Sequence, residues 1–166
     1  MFRIDDFVVY GTAGVCRVAD IREEKFGGNS QVYYILKPVF RKDSLIYAPV
    51  ENRRTPMRSV IDEDELYSIV KDIAAAEPEW EPNDKLRTEK FKEILRSGNC
   101  REIALMVKSL YMHKLTQVER GRKLHISDTN LMKTAEELLY SEFAHILGIS
   151  PEDVVQFILR EAFGEM

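Results

Sequence analysis

Ser59-Val60-Ile61-Asp62-Glu63-Asp64-Glu65-Leu66-Tyr67-Ser68-Ile69-Val70-Lys71-Asp72-Ile73 is the stretch in which the hydrophobic period of the chain changes. Leu66, Ile69, Val70 and Ile73 fall at i, i+3, i+4 and i+7, which is one face of a helix. The four acids Asp62, Glu63, Asp64 and Glu65 stand just before them, where a side-chain cap and the helix dipole both favour negative charge. Upstream, Met57-Arg58-Ser59-Val60-Ile61 has the look of a last short strand. The chain divides here, strands before and helices after, which is an α+β order.

Working back from the boundary, Ser44-Leu45-Ile46-Tyr47-Ala48-Pro49 reads as a strand that Pro49 ends or places on an edge. Val32-Tyr33-Tyr34-Ile35-Leu36 is another, entered through the turn signal Gly27-Gly28-Asn29. Before it, Val15 to Ile21 puts Val15, Arg17, Ala19 and Ile21 on one face and Cys16, Val18 and Asp20 on the other. Phe7-Val8-Val9-Tyr10 is the first strand, and Gly11 and Gly14 punctuate the turn after it. Short strands with tight turns suggest a small, strongly bent sheet or barrel.

Working forward, Pro78 and Pro82 bracket Glu79-Trp80-Glu81 and disfavour continuation of the helix. A helix then starts at Asn83 or Asp84 and runs to about Arg96, with Leu86, Phe91, Ile94 and Leu95 inward and Ser97-Gly98-Asn99 as its end. The next carries Ile103, Val107, Leu110 and Tyr111. A third begins near Ser127 with Leu131, Ala135, Leu138, Leu139 and Phe143 inward. The last has Ser150 as N-cap, Pro151 at its first position, Asp153 where a capping box places an acid, and Val154, Val155, Ile158 and Leu159 as its stripe. The expected modules are 1–62 for the sheet, 63–82 for a helix and linker, and 83–166 for a compact all-helical domain.

The 166 residues carry a net charge of −4, and 45% are hydrophobic, which excludes a mainly disordered chain and a uniformly basic nucleic-acid binder. The average conceals a pattern. Residues 83–125 hold 11 basic and 5 acidic side chains, whereas 126–166 hold 2 basic and 8 acidic. Lys85, Arg87, Lys90, Lys92, Arg96, Arg101, Lys108, Lys114, Arg120, Arg122 and Lys123 make up the basic middle. Such clusters attract phosphate and release counterions, although exposed helices also carry them simply as solvated surface. Trp80, the one tryptophan, stands directly before the first basic helix. It suits either packing against a neighbouring module or service as an apolar wedge beside phosphate-binding cations.

Enzyme signatures are missing. The glycines match neither a phosphate-binding nor a dinucleotide-binding loop. His113, His125 and His145 are too widely spaced for a short zinc motif, and Cys16 and Cys100 do not make a secreted disulfide scaffold. The longest uncharged run is Phe26–Leu36, eleven residues with two glycines, against ~20 apolar residues for a membrane span. The N-terminus has no apolar signal core. A cytoplasmic, non-enzymatic protein with no cofactor and no membrane partner is expected, and a monomer, although the sequence leaves pairing of sheet edges or helices open.

The ordered set Phe7-Val8-Val9-Tyr10-Gly11-x-x-Gly14, Tyr33-Tyr34-Ile35-Leu36-Lys37, Pro49-Val50-Glu51-Asn52, Phe91-Lys92-Glu93-Ile94-Leu95-x-Ser97-Gly98, Lys108-Ser109-Leu110 and Ala135-Glu136-x-Leu138-Leu139-x-x-Glu142 resembles the CarD-like (CdnL) bacterial transcription regulators over nearly the full length. The resemblance implies a Tudor-like N-terminal β-barrel that binds the RNA polymerase β subunit. It also implies a helical domain that contacts promoter DNA and stabilises the open promoter complex without catalysis. By position it points to Glu24, Phe26 and Tyr47 for polymerase, and to Trp80, Lys85, Arg87 and Lys90 for DNA. Relatives commonly carry arginine where this chain has Glu24 and Tyr47, and Trp80 lies a few residues further from Ser97-Gly98 than the family's wedge. The alternative is a protein–protein adaptor whose helical domain does not contact DNA.

Overall fold

A computed structural model describes residues 1–41, 43–51, 54–77 and 79–164. The chain forms two compact units, Met1–Val60 and Ile61–Met166.

The first unit is an antiparallel sheet of β1 (Phe7–Tyr10), β2 (Val15–Phe26), β3 (Asn29–Pro38), β4 (Ile46–Pro49) and β5 (Met57–Ser59), in the order β4-β3-β2-β1-β5. β2 and β3 form a long hairpin closed by Gly27 and Gly28, whose φ values of 64° and 90° suit the right-handed twist of the flanking strands. A third glycine is required for a different reason. Gly11 has φ 48°, and a Cβ there would run into the Thr55 methyl group. The expected barrel is corrected to an open sheet: among the described residues the ladder ends at β4 and β5, which do not pair. Strands of four and three residues offer little ladder with which to close it.

The alternation expected in β2 also changes partway. Val18 pairs with Leu36 and Asp20 with Ile35, so Ala19 is an extra residue. This bulge reverses the parity of the strand. Ile21 consequently packs on the same cluster as Cys16 and Val18, together with Val8, Tyr34, Leu36 and Ala48.

The second unit holds α1 (Glu63–Ala75), α2 (Asp84–Ser97), α3 (Cys100–Glu119), α4 (Ile126–Leu147) and α5 (Pro151–Phe163). Asp62 caps α1 by accepting from the Glu65 N–H at 2.8 Å, and Leu66, Ile69, Val70 and Ile73 are buried as the period requires. Asn83 and Asn99 cap α2 and α3 in the same way at 3.0 Å. Ser150 stands at the N-cap of α5 without a side-chain cap bond, so the expected capping box is not formed there. Instead of belonging to a separate linker segment, α1 packs on α3, α4 and α5. Within the same unit Glu142, buried on α4, accepts from the Ile61 N–H just before α1 at 3.0 Å.

The phase of α2 differs from the sequence reading. Leu86 is 51% exposed, whereas Arg87 is 4% exposed and lies with Phe91 and Leu95 on the buried face. The position after the apolar one, a cation, is the one that turns inward. Its partner there, the buried carboxylate of Asp128 on α4, explains why.

Candidate functional site

Two surfaces carry the residues singled out above, one in each unit. In the sheet, Phe26 at the end of β2, Tyr33 on β3 and Tyr47 on β4 form a ring cluster. Phe26 lies 5.3 Å from Tyr33 and 5.5 Å from Tyr47 between centroids, both edge-to-face, the arrangement aromatic quadrupoles favour. Tyr33 is the buried base, while Phe26 is 53% and Tyr47 37% exposed. Arg22 donates from Nη2 to the Tyr47 hydroxyl at 3.2 Å, and its guanidinium sits 5.9 Å from that ring. Its Nε lies 3.4 Å from Asp20 and 3.6 Å from Glu24. Glu24, Phe26 and Tyr47 are thus brought together, with Arg22 and Tyr33 joining them. Sequence reading missed these two, because what joins them is the β2/β3 register, which pairs Arg22 with Tyr33 only once the strands have met.

In the helical unit, Trp80 is held by side chains from two helices. The His113 imidazole of α3 stacks on the indole with centroids 3.7 Å apart and planes 7° from parallel. Phe91 meets it edge-on at 6.2 Å. The Arg87 guanidinium carbon lies over the indole, 4.6 Å from its centroid. Arg87 in turn forms a bidentate pair with Asp128 on α4, Nε to Oδ1 at 3.0 Å and Nη2 to Oδ2 at 2.7 Å. Nη2 also reaches Asp84 at 2.8 Å, and Nη1 donates to the Glu81 carbonyl at 3.0 Å. These hydrogen bonds, Asp128 first, hold the proton on Arg87 more firmly than usual. The indole N–H has no acceptor among the described residues, yet it is not sealed from solvent.

The basic segment is therefore less available than its formal charge suggests. Arg87 is internal. Arg101 is clamped between α1 and α3 by Asp72, Glu65 at 2.9 Å and Ser68 at 3.1 Å. The Lys108 ammonium donates to the Ala76 carbonyl at 2.6 Å and to that of Ile73, closing the C-terminal end of α1. Lys85, Lys90, Lys92, Lys114, Arg120, Arg122 and Lys123 stay exposed. Lys90 has Glu81 at 3.8 Å, and beside it the linker glutamates Glu77, Glu79 and Glu81 border a cavity of about 410 Å³ over Phe91 and Met106. Those three carboxylates repel phosphate on the linker side of the rim, so the usable positive surface is the outer side of α2, where Lys85 and Lys90 are exposed, and the far end of α3.

Two family models match the chain: the CarD-like/TRCF RID domain over residues 2–61 and the CarD C-terminal domain over residues 68–159. The chain belongs to the CarD-like family. The boundary between the two CarD-like matches falls where the hydrophobic period changes. A curated relative, named "Putative transcription factor YdeB" from Bacillus subtilis (strain 168), is 25% identical over 161 residues, covering 95% of this chain and 99% of its own.

Within this CarD-like chain the histidines and cysteines have local explanations. Among the described residues no three His, Cys, Asp or Glu side chains are grouped to hold a metal ion, and no helix is long and apolar enough to cross a membrane. Burial pushes the Cys16 thiol up to about 11, which keeps it an inert core residue at neutral pH. His125 caps α4 by accepting from the Ser127 N–H at 3.3 Å.

His113 and His145 are both held below the usual imidazole value of 6.5. Burial is the main cause at each. At His113 the cations Arg87 of α2 and Arg120, just past the end of α3, add to it, against Asp128 of α4; at His145, Glu142 opposes it. An imidazole kept neutral by the fold takes up its proton more readily once the chain unfolds. Stability from this source is complete above pH 6.5 and is lost as pH falls below it. Thermal unfolding followed from pH 7.5 to 5.5 should therefore show a falling midpoint, and the fall should shrink in His113→Gln. A midpoint that rises on acidification contradicts the assignment.

Proposed function

We propose that this protein is a non-catalytic transcription regulator with two contacts. Its sheet docks on the RNA polymerase β subunit, and its helical unit approaches promoter DNA through Lys85, Lys90 and the edge of Trp80, stabilising the open promoter complex. The observation that carries the reading is the exposed pair Phe26 and Tyr47, seated on the buried Tyr33 with Arg22 beside them, at the open edge of the sheet. Two aromatic rings and an arginine on a rigid base are the composition of a binding hot spot. Among the described residues β4 beside them is an edge strand, a position suited to pairing with a strand of a partner. Arg22 also supplies, from its own position, the guanidinium that relatives carry where this chain has Glu24 and Tyr47.

Arg87 enters this reading in a changed role. It was expected to face phosphate, but it is buried and engaged by two carboxylates and a carbonyl, so it serves by holding Trp80. For such a regulator only differential binding matters. If the protein binds the open complex more tightly than the closed one by ~1.4 kcal/mol, the equilibrium shifts tenfold.

Two measurements test the two contacts. Affinity purification of the protein from its native cell should bring RNA polymerase with it, and its absence overturns the docking. Binding to promoter fragments across a salt series should give a log–log slope of roughly −2 or steeper if Lys85 and Lys90 each meet a phosphate. The Lys85→Glu/Lys90→Glu variant should bind more weakly and with a flatter slope. A wild-type affinity indifferent to salt selects the adaptor reading, which the internal use of Arg87, Arg101 and Lys108 favours.

A further inference from the structure

The indole of Trp80 has two polar partners of unequal permanence. Arg87 is fixed: it is 4% exposed and bonded to an Asp128 side chain that is 2% exposed. His113 is not. It makes no hydrogen bond among the described residues, so the stack itself is what holds its ring. It also lies beyond the packed part of α3. Leu110 is the last buried residue of that helix, and none from Tyr111 to Glu119 is buried. A rotamer change at His113 would uncover the indole without disturbing the core.

The geometry of that contact matters as much as its looseness. A planar heteroaromatic ring 3.7 Å from the indole and 7° from parallel occupies the place a stacked nucleobase would take. The indole N–H beside it is open to an acceptor. Lys85 on α2, Lys114 on α3 and Arg120 just past the end of α3 are exposed, cations of the kind that would meet the phosphates flanking such a base.

We propose that His113 is a removable cap on Trp80, and that an unstacked promoter base replaces the imidazole on the indole when the helical unit binds DNA. The inference rests on the DNA contact proposed above and adds to it the residue that gates the tryptophan. It makes the cap selective. A base in an intact duplex keeps its own stacking partners and gains little by the exchange, whereas a base at the edge of a melted bubble has lost one. The cap therefore favours the open over the closed complex, the differential that a regulator of melting requires.

Trp80 is the single tryptophan of the chain, so its fluorescence reads the exchange directly. The test uses the full chain, a promoter fragment with a pre-melted bubble, low salt, and the variants His113→Ala and His113→Phe. Removing the cap should tighten binding by roughly two- to tenfold, the equilibrium factor that corresponds to one aromatic pair. A more apolar and permanent cap, His113→Phe, should weaken it. In the free proteins, acrylamide should quench Trp80 more in His113→Ala than in wild type, and bound DNA should protect both to the same level. A His113→Ala affinity equal to or below that of a DNA-binding wild type overturns the cap and leaves the DNA contact standing. So does quenching of Trp80 that DNA does not change. Failure of wild type and His113→Ala alike to bind overturns the DNA contact itself, and the cap with it.

Discussion

Asp128→Ala should cost the helical unit about 3–5 kcal/mol, the penalty for leaving one member of a buried ion pair without its partner. The Arg87 guanidinium would remain 4% exposed, with a bidentate carboxylate removed from Nε and Nη2. Asp84 and the Glu81 carbonyl would still accept from it, but Asp84 is 72% exposed and lies on the same helix, so it restores little of the lost tie between α2 and α4. Urea or thermal unfolding measures the loss. The double variant Arg87→Met/Asp128→Leu separates a cost of burying charge from a cost of losing contact. It should be more stable than Asp128→Ala, because no charge is left uncompensated. A single-variant loss under about 1 kcal/mol would mean that solvent reaches the pair and that the pair behaves as a surface bridge. Charge reversal at Arg87 consequently reports on folding, not on DNA contact, and the exposed Lys85 and Lys90 are the residues with which to test the latter.

The same pair shows what could and could not be read from the sequence. The α1 stripe was legible because its cap and its period are both local: Asp62 bonds three residues away, and Leu66, Ile69, Val70 and Ile73 repeat within two turns. The phase of α2 was not. Leu86 and Arg87 are neighbours, and hydrophobicity alone turns Leu86 inward. What reverses the choice is a carboxylate forty-one positions later, which makes burial of a guanidinium tolerable. The bulge at Ala19 was hidden for a related reason. Alternation in β2 looks regular until the register against β3 slips, and the register belongs to the pair of strands. The stack of Trp80 on His113 joins the linker to the far end of α3, a contact that neither segment advertises. Local signals thus located the elements and even the residues of the candidate sites. The partners that orient those residues depended on packing between elements.

Phe26→Ala and Tyr47→Ala should each weaken capture of the polymerase β subunit by about thirtyfold, the size of a hot-spot truncation near 2 kcal/mol. The expectation follows from what the two rings do in the isolated protein. Phe26 stays 53% exposed at the mouth of a hairpin, an arrangement that gains little from burial within the chain. Tyr47 stands on an edge strand and, among the described residues, has Phe26, Tyr33 and Arg22 as ring partners. Truncating either removes a large apolar area from the surface while the buried Tyr33 and the ladder beneath remain, so the sheet should keep its unfolding midpoint to within a few degrees. Tyr47→Phe refines the point. It retains the ring and deletes the hydroxyl that accepts from Arg22 at 3.2 Å, an exposed bond worth about 1 kcal/mol or less. Its effect should be a few-fold, well below that of alanine. If alanine and phenylalanine weaken capture equally, the interface is read through the Arg22–Tyr47 bond and not through the rings. If neither Phe26→Ala nor Tyr47→Ala changes capture, this face is not the docking surface. Lys85→Glu/Lys90→Glu should leave capture intact while weakening DNA binding, and Tyr47→Ala should do the reverse on free promoter fragments. Separate units carrying separate contacts require that both losses be selective.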